Sequence, residues 1–125
     1  DERGERVLSV IDFGDMLDTW LVLEPAIAAT YAMHGQPDPL ASAAALVAGY
    51  HGEQALTEVE IGLLFDLVCM RLCMSVCLCA HQQRLQPDND YLSLDLAKSR
   101  DLLQRLHPVG ADEARERFMA DCVQA

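Results

Sequence analysis

Val7-Leu-Ser-Val-Ile-Asp-Phe-Gly-Asp-Met-Leu-Asp18 is an apolar, β-branched run that ends abruptly on acid. Glu5 to Ile11 is expected to form a buried strand, with residues 1–4 a turn ahead of it. The break after Ile11 sets Asp12 and Asp15 at the strand's C-terminal end, on either side of Gly14. Phosphoryl-transfer sites need that arrangement. A strand fixes the backbone, a glycine lets the chain turn sharply, and an aspartate offers the hard oxygen that Mg²⁺ prefers. The spacing alone also fits a polar turn in which Asp15 or Asp18 caps local backbone.

Downstream of Leu23 the pattern is helical. Glu24-Pro25 opens a first helix to about Met33, since proline suits the first turn and an acid there complements the helix dipole. His34-Gly35 ends it. Asp38-Pro39 opens a second, Leu40 to Tyr50, closed by His51-Gly52. Thr57-Glu-Val-Glu60 is a capping box that starts a long third helix, ending at Leu85 before Pro87. A fourth is expected over Leu92 to Leu106 and a fifth over Asp112 to Val123, where Ala114, Phe118 and Cys122 share a stripe. The third is apolar nearly all round between Ile61 and Ala80, which predicts a central helix with neighbours on every side.

One strand followed by five helices makes a mainly α protein. The reading is a single domain over 1–125, with strand and acidic loop in 1–23 and helices in 24–125. A lone strand needs a partner, from upstream chain or from another subunit. A homodimer paired through that strand is therefore one expectation.

The chain has 125 residues, enough for a hydrophobic core, and half of them are apolar. With 20 acidic against 9 basic residues the net charge is −11, which argues against nucleic acid and anionic membranes as partners. Residues 61–80 are apolar enough to raise a membrane span, but Asp66 and Arg71 interrupt them at a high cost in a bilayer. The five cysteines are odd in number and lie in apolar surroundings, which points to reduced thiols and a cytoplasmic protein. The first residues carry no signal peptide and no Met, and the chain reads as a fragment of something longer.

The stretch from Val10 to Ala28 resembles the aminoglycoside phosphotransferase and choline kinase family, and most of all its hydroxylysine kinase and homoserine kinase-like branch. There a strand ending Ile-Asp-Phe-Gly-Asp is followed by an acid and then Leu-Ala-Ile-Ala. Ala48-Gly-Tyr-His51 and Leu56-Thr-Glu58 are similar to the same branch. The resemblance covers about residues 5–80 well.

It implies the helical C-lobe portion of a protein-kinase-like fold and an ATP- and Mg²⁺-dependent phosphotransferase. The acceptor would be a hydroxyl on an amino alcohol, amino acid or amino sugar. Asp12 matches the family's metal-binding aspartate and Asp15 the second acid of its motif. Glu24 matches an acid that starts the next helix and braces the catalytic loop. Pro25 replaces the usual leucine, and Trp20 stands where many members have aspartate. The family's Gly-rich loop, strand lysine and His-Gly-Asp catalytic loop precede this motif, and none is in these residues. The chain alone is therefore expected to be inactive. Similar modules occur beside class III aminotransferase domains, so a fusion of that kind is a further expectation.

A non-catalytic helical module that binds a partner or itself is the alternative, supported by the unpaired strand and the apolar third helix. Cys69, Cys73 and Cys77 recur every four residues and could bind Zn²⁺ or Cu⁺, with Cys79, His81 or Cys122 as a fourth ligand. Core packing is the preferred reading for them, as for Met16, Met33, Met70, Met74 and Met119. His34, His51, His81 and His107 read as structural or surface residues, the first, second and fourth beside helix C-termini. Trp20, Tyr31 and Tyr50 are candidates to line a pocket for a cationic amine.

Overall fold

Five helices follow one another in the computed structural model, which describes Ser9, Gly14 and residues 16–123, the side chains of 90–92 excepted. They are α1 (Leu23–Met33), α2 (Pro39–Glu53), α3 (Glu58–Leu85), α4 (Asp90–Leu106) and α5 (Ala111–Val123). The fold is mainly α, and no strand occurs among the described residues. Of the strand expected over Glu5 to Ile11 only Ser9 is among them, exposed and in no regular element; the rest lies outside them, and so does the homodimer that would pair it.

The helix ends follow from local chemistry. Pro25 and Pro39 each sit in a first turn, where the missing N–H costs nothing. The Asp38 side chain accepts the Ala41 N–H at 3.0 Å to start α2. At α3 the capping box is complete. The Thr57 hydroxyl accepts the Glu60 N–H, and the Glu60 carboxylate accepts the Thr57 N–H at 2.7 Å. Beyond α1, Gly35 takes φ of 73°, a left-handed conformation that costs other residues energy and lets the chain leave the helix. Arg105 of α4 then clamps that exit, donating to the Gln36 and Pro37 carbonyls at 2.9 and 2.8 Å.

Glu60 provides a pH test of the capping box. Its hydrogen bonds to Thr57 hold its carboxyl below the ordinary value near 4.5. A depressed folded-state value adds stability above the unfolded-state value, and that stability is lost as pH falls through the folded one. Glu60→Ala is therefore expected to lower Tm at pH 7 and to match the parent chain once pH falls well below 4. Melting both proteins by circular dichroism across that range checks it; an equal gap at every pH would contradict it.

The core forms where α3 packs on α1, α4 and α5, and α2 on α1 and α5. Ala26, Ala29, Ala43 and Ala44 are buried and let α1 and α2 approach closely. Met33, Val47, Leu64, Val68, Leu72, Leu102 and Phe118 fill the space between the layers. Ala114, Phe118 and Cys122 form the expected buried stripe of α5.

α3 departs from expectation. Its buried residues, Ile61, Leu64, Phe65, Val68, Leu72 and Cys79, lie on one side only. Leu63, Met70, Met74 and Leu78 on the other side are about half exposed, and Cys73 and Cys77 are exposed too. Hydrophobicity all round the helix does not bring neighbours all round it among the described residues. α3 is long and apolar enough to cross a membrane; it packs against three helices, and 28% of its most apolar 18-residue window is buried.

Candidate functional site

The acidic motif reaches the helices through residues 16–22. Met16, Leu17 and Trp20 of this irregular segment are exposed, and Val22 is the buried anchor that ties it to the core. The Trp20 and Leu21 carbonyls accept the Leu23 and Glu24 N–H groups, both at 3.1 Å, and wind the chain into α1. The metal-ligand candidates Asp12 and Asp15 lie outside the described residues. Gly14 between them is described, and a Cβ built there would meet nothing within 4 Å.

Two carboxylates are a chemically adequate donor set for Mg²⁺. That ion takes one or two protein carboxylates and completes its shell with phosphates and waters, without an all-protein cage. No group of three or more His, Cys, Asp or Glu able to hold a metal occurs among the described residues. Cys69, Cys73 and Cys77 thus assemble no ligand set there. Glu24 sits exposed in the first turn of α1, where its charge complements the helix dipole. No hydrogen bond to its carboxylate is found among the described residues.

The aromatic candidates do not converge. Tyr50 is half-buried against the core, while Trp20 and Tyr31 are 79% and 62% exposed. The Tyr31 hydroxyl instead accepts a hydrogen bond from Arg71 at 3.2 Å, joining α1 to α3. Sequence reasoning missed that link, because nothing in the spacing relates residues 31 and 71.

A cavity of about 580 Å³ lies between α3 and the end of α4 and is lined by Phe65, Cys69, Leu103, Gln104, Leu106, His107 and Val109. Its lining is mostly apolar, with Gln104 and His107 as the polar exceptions, and includes no carboxylate.

The thiols divide by position. Cys79 and Cys122 are buried, as core packing requires, and Cys69 is half-buried. Cys73 and Cys77 are exposed, against expectation, because their stripe falls off the buried side of α3. Met33 is core and Met119 packs against it, whereas Met16, Met70 and Met74 are exposed. Burial, chiefly, pushes the Cys69, Cys79 and Cys122 thiols above their ordinary value. Cys79 also donates to the Asp95 carboxylate at 3.4 Å, linking α3 to α4. Among the histidines, His81 and His107 are surface residues, and the His51 Nδ1 accepts the Leu56 N–H at 3.1 Å, holding the turn between α2 and α3.

No protein-family model matches the chain, and no solved structure does. Among curated proteins it is similar to hydroxylysine kinases. It is 34% identical over 112 residues to that of Bos taurus, covering 89% of this chain and 30% of the relative. It is 32% identical over 120 residues to that of Danio rerio, covering 95% and 34%. It is 33% identical over 116 residues to that of Mus musculus, covering 92% and 31%. The chain spans about a third of the length of the curated relatives it matches. The similarity supports the kinase family, and the names say nothing of an aminotransferase.

Proposed function

We propose that these residues are the helical C-lobe portion of an ATP-dependent small-molecule kinase. The observation that carries the reading is the similarity to hydroxylysine kinases over 86–95% of the chain. The Asp12-Phe-Gly-Asp15 motif adds the chemistry. In the longer protein Asp12 and Asp15 would hold Mg²⁺, which supplies charge neutralisation at the transferring phosphoryl group when bound. Glu24 would brace the loop that positions the acceptor. The acceptor is a hydroxyl on an amino acid, amino alcohol or amino sugar, with hydroxylysine first among candidates. The catalytic base and the nucleotide lobe belong to the rest of the domain, so the 125 residues alone transfer nothing. The setting is a reducing, cytoplasmic one, in keeping with the free thiols.

The test is ADP release by a longer protein containing these residues, supplied with Mg²⁺·ATP and a panel of hydroxylysine, homoserine, choline and an aminoglycoside. Stimulation by one of them is expected. A folded protein that releases no ADP with any hydroxyl-bearing amine overturns the reading.

A second reading, a non-catalytic module that binds a partner or another copy, has its support in the bare apolar side of α3.

A further inference from the structure

The two sides of α3 differ in setting and hardly in composition. At 3.6 residues per turn the buried Leu64, Phe65, Val68, Leu72 and Cys79 face one way, and Leu63, Met70, Met74 and Leu78 face the other. A solvated helix face carries charge. From Leu67 to Ala80 the only charged residue is Arg71, and its guanidinium is turned to Tyr31. Across that hydrogen bond the bare side of α3 adjoins the exposed side of α1, where Ile27 and Tyr31 lie one turn apart. Contiguous apolar surface of this kind marks a contact face.

We infer that this α1–α3 face is an internal packing surface of a larger kinase domain, covered there by the portion that these 125 residues do not contain. The inference rests on the kinase reading. The chain spans 29–34% of the hydroxylysine kinases it matches, so roughly two-thirds of such a domain is left to cover it. The share of those relatives that lies outside the matched region favours that occupant over a second copy. The acidic motif leads directly into α1, so an upstream portion would meet the helices on the side where Trp20, Ile27 and Tyr31 stand exposed.

Cys73 and Cys77 are reporters already in place, exposed on this face, while the buried Cys122 is an internal standard. Maleimide labelling mapped by mass spectrometry would be run on the 125-residue chain and on a longer, kinase-length protein. Both cysteines are expected to react at least about tenfold more slowly in the longer protein, with Cys122 slow in both. Met74→Asp should leave the melting of the 125-residue chain unchanged and lower that of the longer protein. Rapid labelling of both cysteines in a longer protein that transfers phosphate from ATP overturns the inference and leaves the kinase reading standing. Slow labelling in a folded longer protein that transfers none overturns the kinase reading instead. Protection confined to the short chain, growing with concentration as a dimer appears by light scattering, overturns the inference and assigns the face to a second copy.

Discussion

Phe118→Ala is expected to destabilise the helical bundle by about 3–5 kcal/mol. Phe118 is the largest fully buried side chain among the described residues, set on α5 between Ala114 and Cys122. α5 meets both α2 and α3, so removing the ring opens a cavity where three helices meet. The loss has two parts: the apolar contact given up, and the void the surroundings cannot close. A chain of 125 residues has a total stability of only about 6–19 kcal/mol at 0.05–0.15 kcal/mol per residue. The variant thus removes a large share of it. Urea unfolding followed by circular dichroism would show a lower midpoint with little change in slope. Leu78→Ala, at a site 52% exposed, should stay within about 0.5 kcal/mol of the parent chain. A Phe118→Ala loss below about 1 kcal/mol would mean that α5 is not docked as described.

The second large effect belongs to the proposed activity. In the longer protein Asp12→Ala is expected to cut phosphoryl transfer by a factor of about 10²–10³ or more, the scale on which loss of electrostatic stabilisation acts. Asp12→Asn keeps the shape and removes the charge, so it should fail nearly as badly. Glu24→Gln acts through the loop and should cost less. Steady-state rates at saturating Mg²⁺·ATP, beside unchanged circular dichroism spectra, check the series. Equal activity of Asp12→Asn and the parent would remove Asp12 from the metal site.

The helices were largely legible because their ends are chemically marked. Thr57 and Glu60 start α3, and Pro87 stops the pattern two residues after Leu85, so both ends of the expected helix match the observed Glu58–Leu85. α2 was expected over Leu40 to Tyr50 and runs Pro39–Glu53, because Gly52 does not halt a helix whose next turn still closes hydrogen bonds. α4 begins at Asp90 instead of Leu92, with Asn89 as an N-cap in extended backbone that makes no side-chain capping hydrogen bond. Which side of α3 is covered was not legible. An apolar side chain carries no label for the neighbour it meets, and Met70 and Met74 read the same as Met33. The Tyr31–Arg71 and Arg105–Gln36 links join residues 40 and 69 apart, beyond any local pattern. The acidic motif stands out in the sequence for the opposite reason, and its metal role belongs to the proposed function, since Asp12 and Asp15 lie outside the described residues. Metal chemistry confines its residue types and spacing to a few positions of one short stretch.

Calorimetric titration of Mg²⁺·ATP into a longer, kinase-length protein, with and without Asp12→Ala, tests the central claim most directly. The account predicts binding by the parent protein and its loss in the Asp12→Ala variant. A folded parent that retains Asp12 and takes up no nucleotide would contradict it.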